Sequence, residues 1–274
     1  MLKQRLLTAI FLAPLALWGL FGLSGIPFAI FTGAVIGIGA WEWARLSGFK
    51  LIGQIIFPAF ILLILLGAFE KPELLKQALW LGLAGWLVAL FFVTSYPKTA
   101  NLWRCPSRRL IMGIFILVPA WAGFVLLREQ GVFWLLYVLL IAWVADIFAY
   151  FSGKAFGKHK LAPAVSPGKS WEGVAGGLVG TSLLSVAASF YQGFSFSQFL
   201  LLLIITLVIT AVSVLGDLTE SLVKRESGMK DSSQLLPGHG GIMDRIDSLT
   251  SAVPLFALLI LNFAGDLLWY VLRF

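Results

Sequence analysis

The sequence predicts an all-α, polytopic integral membrane protein with about nine transmembrane helices, and three observations support this fold class. Of the 274 residues, 59% are hydrophobic and only 12% are charged, whereas a soluble domain carries roughly 25% charged residues. The mean hydropathy is +0.95. The chain also contains repeated apolar runs close to the about 20 residues that a helix needs to cross the hydrocarbon core.

Nine apolar segments are the predicted spans. In chain order they cover 6–23, 26–46, 51–69, 74–96, 108–128, 131–151, 171–190, 197–216 and 249–272. Three glycine pairs with small-xxx-small spacing lie within the spans: Gly33 and Gly37, Gly173 and Gly177, and Gly176 and Gly180. Such pairs predict close helix packing, although glycine is also common in membrane helices generally.

The distribution of basic residues predicts the orientation. If the N-terminus is cytoplasmic and the C-terminus lies outside, 16 of the 20 Lys and Arg residues fall on the cytoplasmic side, as the positive-inside rule requires. Topology therefore accounts for the net charge of +7, and nucleic acid is not an expected partner. The single Cys105 excludes an internal disulfide and a thiolate zinc site.

The chain is predicted to form one membrane unit with two functional parts. Residues 1–128 supply five spans for packing and lipid access. Residues 129–274 supply the remaining spans and two cytoplasmic loops, 152–170 and 217–248, which are expected to carry catalysis.

Acidic residues collect at the ends of two predicted spans. Asp217 ends the eighth span and, on a continuing helix, shares a face with Glu220 and Lys224. Asp244 and Asp247 lie three residues apart at the start of the ninth span. Carboxylates at a lipid boundary are costly unless they are paired or bind a cation. Because hard cations prefer oxygen ligands, these acids predict an Mg²⁺ site.

Basic and glycine-rich segments next to these acids suit phosphate. The turn "PGHGG" allows close backbone approach to an anion, and "SPGKSWEG" places Ser166, Lys169 and Ser170 at the start of a helix. Mg²⁺, phosphate and basic side chains together predict phosphoryl or nucleotidyl transfer. The alternative is a solvated loop held by surface ion pairs.

Four single residues allow two interpretations each. Asp146 is a functional candidate inside a span or an interfacial acid that faces water or pairs with Lys154. His159 is interpreted as a solvated loop residue rather than a catalyst. His239, between glycines, contacts a ligand or serves the turn. Glu42 is expected to anchor the second helix at the membrane interface.

These motifs resemble the phosphatidate cytidylyltransferase family, also called CDP-diacylglycerol synthases. The residues that carry the resemblance are Ser221, Val223, Lys224, Arg225, Lys230, Asp231, Ser233, Pro237, His239, Gly240, Gly241, Asp244, Arg245 and Asp247. The upstream segment "GKHKLAPAVSPGKSWEGVAGG" is similar to the family's other loop. The resemblance implies that CTP and phosphatidate react to CDP-diacylglycerol and pyrophosphate, in a Mg²⁺-dependent homodimer at the cytoplasmic face of the bacterial inner membrane.

The resemblance also implies roles for individual residues. Asp217 and Asp244 are expected to hold Mg²⁺, with Asp247 or Asp231 sharing a second cation. The expected catalytic residues are Asp217, Asp244, Asp247, Lys169, Lys224 and Arg225. The expected substrate-binding residues are Ser166, Ser170, Lys230, Asp231, His239, Gly240, Gly241, Arg245 and Asp146. The turn at Gly240 and Gly241 would cradle phosphates.

Three other classes remain as alternatives. A transporter of an anionic or phosphorylated solute would carry acids near the middle of broken helices or inverted repeats, and neither pattern is found. Other Mg²⁺-dependent membrane transferases, of the CDP-alcohol phosphotransferase or prenyltransferase type, concentrate their acids in one short helical run. A scaffold for anionic lipid would explain the lysines but not the carboxylates.

Overall fold

Long apolar helices make up most of the computed structural model, which describes residues 2–264. The helices are α1 (Leu2–Leu17), α2 (Gly25–Leu46), α3 (Leu51–Phe69), α4 (Pro72–Ser95), α5 (Ala100–Trp103), α6 (Pro106–Glu129), α7 (Val132–Phe156), α8 (Trp171–Gln192), α9 (Phe196–Glu226) and α10 (Met243–Leu259). Single π-helical turns, Trp18–Gly22 and Ile260–Ala264, follow α1 and α10. Two short strands, β1 (Lys160–Ala162) and β2 (Ser166–Ser170), pair antiparallel between α7 and α8.

Seven of these helices, α2, α3, α4, α6, α7, α8 and α9, are long and apolar enough to cross a membrane. The prediction of an all-α multi-pass membrane protein is therefore confirmed. The first and ninth predicted spans correspond to α1 and α10, and the ninth, 249–272, extends past residue 264 and so lies partly outside the described residues. The count of nine and the orientation of the termini stay predictions, as does the division at residue 128.

The glycine pairs of α8 confirm the predicted close packing. Four glycines of α8 face α7: Gly173, Gly176, Gly177 and Gly180. A Cβ on Gly177 would lie 3.2 Å from the carbonyl oxygen of Ala145, and one on Gly176 would lie 3.0 Å from that of Phe148. Because glycine leaves this space open, the backbones of α7 and α8 lie nearly in contact beside the loop that joins them.

Helix α10 occupies the centre of the bundle. It packs against α9, α6 and α4, and most of its side chains are buried. It approaches α9 most closely at Gly216, where a Cβ would lie 2.5 Å from the carbonyl oxygen of Asp247. The acidic end of α9 and the acidic start of α10 are therefore adjacent.

The boundaries of the two functional loops differ from the prediction. The eighth predicted span, 197–216, continues as helix α9 to Glu226, so the second loop covers 227–242 rather than 217–248. The polar residues after Asp217 remain helical because their side chains find partners across the bundle. The first loop contains the hairpin β1–β2, which the sequence analysis did not predict.

Candidate active site

Four helix ends meet at one end of the bundle and bring the predicted site residues together. Helix α7 ends and α8 begins there around the hairpin, and α9 ends and α10 begins there around the 227–242 loop. Asp217 lies in the last third of α9, and Asp244 lies in the first turn of α10. The helix arrangement and the ion pairs Lys169–Asp217 and Lys224–Asp244 support the predicted proximity of these two acids.

Asp217 is held by a lysine from the other loop. The ammonium nitrogen of Lys169 lies 2.7 Å from Asp217 Oδ2, and the hydroxyl of Ser221 donates to Asp217 Oδ1 at 3.2 Å. The side chains of Lys169 and Asp217 are 24% and 30% exposed. This pair joins the end of β2 to α9 and remains accessible to a ligand.

Lys224 lies between two carboxylates. Its ammonium nitrogen is 2.6 Å from Glu220 Oε2 and 2.7 Å from Asp244 Oδ1. The predicted shared helical face of Glu220 and Lys224 is confirmed by this pair. Lys224 is only 13% exposed. In this arrangement Lys224 pairs with Glu220 and Asp244, whereas the sequence predicts that it binds phosphate.

Both carboxylate oxygens of Asp244 have protein donors. Oδ1 pairs with Lys224, and Oδ2 accepts from the backbone N–H groups of Gly241 at 2.7 Å and Ser232 at 2.9 Å. Gly240 has a φ of +82°, and a Cβ there would lie 2.6 Å from Asp244 Oδ2. The glycine turn thus wraps around Asp244. The N–H of Gly241 was predicted to bind phosphate, but it donates to the Asp244 carboxylate instead. Direct metal binding by Asp244 would require the loss of one of these contacts.

The remaining carboxylates suit an open Mg²⁺ site. Within residues 2–264, no three His, Cys, Asp or Glu side chains are gathered closely enough to enclose a metal. Mg²⁺ does not need such a cage, because it is held by one or two carboxylates together with water and substrate phosphates. Asp247 lies within electrostatic range of Asp217, and the buried Glu220 Oε1 lacks a hydrogen-bond partner among the described groups. Asp217, which is 30% exposed, fits direct contact with Mg²⁺ better than Asp244, which is 7% exposed.

A cavity of about 390 Å³ opens between α7, α8 and α9 beside this cluster. Asp146, Lys169 and Ser170 line it. Asp146 is exposed, whereas Lys154 lies over the ring of Tyr150 at 5.8 Å. The Ser170 hydroxyl accepts the N–H of Gly173 at 3.1 Å, so it caps α8 at the cavity wall instead of standing free for substrate.

A second cavity, of about 420 Å³, lies on the other side of the α8–α9 contact and is mostly apolar. Residues of α4, the hairpin, α8 and α9 line it, among them Tyr96, Val165 and Leu218. Both cavities share Val174 and Val214. Burial and the carboxylate of Glu226 raise the pKa of the Tyr96 phenol at the rim of this cavity.

The other predicted site residues border the cluster. Lys230, Asp231, Arg225 and Arg245 are exposed, and Ser166 is half-buried at the start of β2. Arg225 Nε donates to the carbonyl of Val165 at 3.0 Å, so it ties the two loops together. The Nδ1 atom of His239 is buried and lacks a hydrogen-bond partner among residues 2–264. His159, expected to be solvated, has an exposed ring that lies 2.7 Å from Glu172.

Two further residues contribute to this site and were not predicted to do so from the sequence. Glu42 was interpreted as an interface anchor, yet it is fully buried against the 227–242 loop. Ser232 was not singled out, although it contacts both Glu42 and Asp244. The position of Glu42 inside an apolar span indicates that this residue has a special role. The local sequence does not indicate which distant residues it contacts.

Comparison with known proteins identifies the family. Residues 3–263 match the model of the cytidylyltransferase family. The chain is 50% identical over 265 residues to the phosphatidate cytidylyltransferase of Pseudomonas aeruginosa, which covers 95% of this chain and 97% of the relative. It is 44% identical over 284 residues to that of Haemophilus influenzae, covering 94% and 98%. The Staphylococcus haemolyticus enzyme of the same name is 42% identical over 135 residues, covering 49% and 52%. With the acidic, lysine-bridged helix ends already described, these matches show that the chain belongs to the cytidylyltransferase family.

Proposed function

We propose that this protein is a nucleotidyltransferase that moves CMP from CTP to phosphatidate and forms CDP-diacylglycerol and pyrophosphate. The observation that carries the proposal is the Asp217–Lys169 pair beside the Lys224–Asp244 pair, where α8, α9 and α10 meet. This cluster lies beside a cavity that the charged residues Asp146 and Lys169 line, and close to a second cavity whose lining residues are all uncharged. A reaction that joins a lipid to a soluble polyanion needs both environments at one place.

In the proposed reaction, a phosphate oxygen of phosphatidate attacks the α-phosphorus of CTP in line with the leaving group. A new P–O bond forms, and the bond from the α-phosphorus to the bridging oxygen breaks. That oxygen keeps the electron pair and leaves with pyrophosphate. A phosphate monoester is largely ionised at neutral pH, so no general base is required.

The protein contributes positioning and positive charge, which are the main sources of catalysis in such transfers. Lys169 is placed to exchange its contact with Asp217 for a substrate phosphate. Arg225, Lys230 and Arg245 are exposed at the rim and supply further cations for the triphosphate. Lys224 pairs with both Glu220 and Asp244 within the cluster.

The Mg²⁺ requirement is part of the proposal. Asp217 and Asp247 are the residues that would hold Mg²⁺, and the ion would supply charge neutralisation of the phosphates. Asp244 then serves mainly to fix the glycine turn, as its hydrogen bonds favour. A second cation, shared with Asp231, stays a prediction.

The lipid substrate fits the second cavity. Its apolar lining and its position between membrane helices suit an acyl chain, while its wall of hairpin residues lies next to Lys169 on β2. The phosphate of phosphatidate would thus reach the cluster from the membrane side. CTP would enter from the first cavity, which Asp146, Lys169 and Ser170 line.

The cellular placement follows from the same proposal. The protein crosses a membrane several times, and its relatives are bacterial. We place it in the inner membrane with the four helix ends toward the cytoplasm, where CTP is available. A homodimer is expected from the family resemblance and stays a prediction.

The direct test is an assay of purified protein with labelled CTP, phosphatidate and Mg²⁺. The expected result is a lipid-extractable cytidine product and one pyrophosphate for each lipid formed. Omission of Mg²⁺ should abolish the product, and replacement of phosphatidate by diacylglycerol should do the same because the attacking phosphate is missing. If CTP is not consumed, or is consumed equally without phosphatidate, the proposed function is wrong.

A further inference from the structure

Glu42 is a fully buried carboxylate in the cytidylyltransferase bundle, on α2 and far along the chain from the cluster. Its exposed fraction is 0%. A buried carboxylate is costly unless donors surround it. All of its donors belong to residues 232–243, about 190 to 200 positions away in sequence. Its contacts therefore join α2 to the 227–242 loop and to the start of α10.

Two of these donors are backbone groups at the start of α10. The N–H of Ile242 donates to Glu42 Oε1 at 3.0 Å, and that of Met243 donates to Glu42 Oε2 at 2.6 Å. The first N–H groups of a helix lack partners within the helix, and an isoleucine at the cap position cannot provide an acceptor. A carboxylate also matches the positive end of the helix dipole. Glu42 thus caps α10 from a different helix.

The other two donors are the hydroxyls of Ser232 and Ser233. The Ser232 hydroxyl lies 3.1 Å from Glu42 Oε2 and 2.9 Å from Asp244 Oδ2. A hydroxyl has one proton, so this proton is shared between the two carboxylates. Arg45, one turn after Glu42, donates to the Ser232 carbonyl at 2.7 Å.

The glycine turn has no room for a side chain at this point. A Cβ on Gly241 would collide with the Ser232 hydroxyl and with Glu42 Oε1. The N–H of Gly241 meanwhile donates to Asp244. Glu42, Ser232, Gly241 and Asp244 therefore form one packed unit, and the direction of the Asp244 carboxylate depends on it.

We infer that Glu42 is a positioning residue: by capping α10 and fixing the 227–242 loop, it sets the placement of Asp244 and of Lys224, which pairs with Asp244. The inference rests on the proposed function, since the reaction whose rate it affects is the CMP transfer. Glu42 is not among the residues that line either cavity, so its effect is expected on the rate of the chemical step rather than on substrate affinity.

The test is the variant Glu42→Gln, measured with CTP and phosphatidate. The amide keeps the volume but turns an N–H₂ group toward N–H and O–H donors. We expect kcat per folded protein to fall by about tenfold to a hundredfold, the scale typical of supporting residues around a site, with both KM values changed by less than about threefold. Backbone hydrogen exchange of residues 232–244 should become faster.

Thr32→Val is the matched control on the same helix. Thr32 is buried, and its hydroxyl bonds to the carbonyls of Phe28 and Ala29 within α2. This variant disturbs α2 without touching the loop. We expect Thr32→Val to leave kcat and the backbone hydrogen exchange of residues 232–244 unchanged, even if its thermal midpoint falls.

A purely structural role for Glu42 predicts a different result. In that case Glu42→Gln lowers the thermal midpoint but leaves kcat per folded protein and loop exchange at wild-type values, and the inference is overturned.

If Glu42→Gln does not fold, the same measurements are made on Ser233→Ala, because this variant removes one donor and keeps the carboxylate. Wild-type kcat and exchange in Ser233→Ala would then reject the inference. A wild-type protein that forms no CDP-diacylglycerol would instead reject the proposed function, while the exchange data still report on the loop.

Discussion

At the scale of single residues, the two central aspartates have different surroundings. Asp217 is partly exposed and has one lysine and one hydroxyl as partners. Asp244 is 7% exposed in its side chain, and its carboxylate accepts from four donor groups: Lys224, the N–H and hydroxyl of Ser232, and the N–H of Gly241. An accessible carboxylate suits direct contact with a metal or substrate, whereas a saturated one suits structural support. The family pattern presents both simply as acids, and only their contacts distinguish them.

Substitution by asparagine separates these two roles. We expect Asp217→Asn to lower kcat by more than about a hundredfold while the thermal midpoint changes little, because a solvent-accessible ion pair contributes about 1 kcal/mol or less. Asp244→Asn should lower both kcat and the thermal midpoint, because the buried Lys224 loses one of its two carboxylate partners. Breaking a buried ion pair costs about 3 to 5 kcal/mol. The measurements are product formation and thermal unfolding in detergent. Near-normal turnover by Asp217→Asn would remove it from the metal site.

At the scale of elements, the contact of α9 with α10 sets the spacing of the acids. Gly216 directly precedes Asp217 and faces the backbone of Asp247. The Ser251 hydroxyl donates to the Val212 carbonyl across the same contact at 2.8 Å. Two backbones that lie this close cannot accept a methyl group without moving apart.

Gly216→Ala should therefore disturb both stability and activity. Its Cβ would lie 2.5 Å from Asp247 O and from Ser251 Oγ. We expect a loss of about 1 to 3 kcal/mol, as for other overpacked sites, and a fall in kcat because Asp217 and Asp247 separate.

Gly67→Ala is the control for this prediction. Gly67 lies within α3 and has no atom within 4 Å of its Cβ position among the described residues. An added methyl there should be neutral or stabilise the helix by up to about 1 kcal/mol. Equal thermal midpoints and equal activities for the two alanine variants would contradict the packing argument.

At the scale of the whole molecule, a residue at the same end of the bundle as the cluster can report which side of the membrane the site faces. Cys105 lies just before α6, next to Arg104, which pairs with Glu226 at the end of α9 at 3.4 Å. It is exposed, and its hydrogen bond with Ser107 lowers the pKa of the thiol, which favours the reactive thiolate. Cys105 is therefore a natural reporter for the end of the bundle that holds the cluster.

A membrane-impermeant maleimide should label Cys105 in inside-out vesicles but not in intact spheroplasts. The control places a cysteine at the opposite end of α6, as Glu129→Cys in a Cys105→Ser background. That variant should show the reverse pattern, because α6 is 24 residues long and crosses the membrane between the two sites. Labelling of Cys105 from outside would invert the proposed topology.

The sequence by itself determined the fold class, the approximate helices and the chemical character of the site. Apolar runs of spanning length fix helices, because backbone groups in hydrocarbon must bond internally. The acids and bases at the helix ends were also visible as a pattern, and so was the resemblance they carry.

Only the tertiary structure decided which charges pair and which remain accessible. Lys224 pairs with Glu220 and Asp244, Gly241 donates its N–H to Asp244, and Glu42 reaches a loop about 190 residues away. The partner of a buried charge depends on which helices pack together, and hydropathy does not encode that neighbour. Burial makes each of these pairings costly to leave unmade, so packing, rather than residue type, assigns the role of each carboxylate.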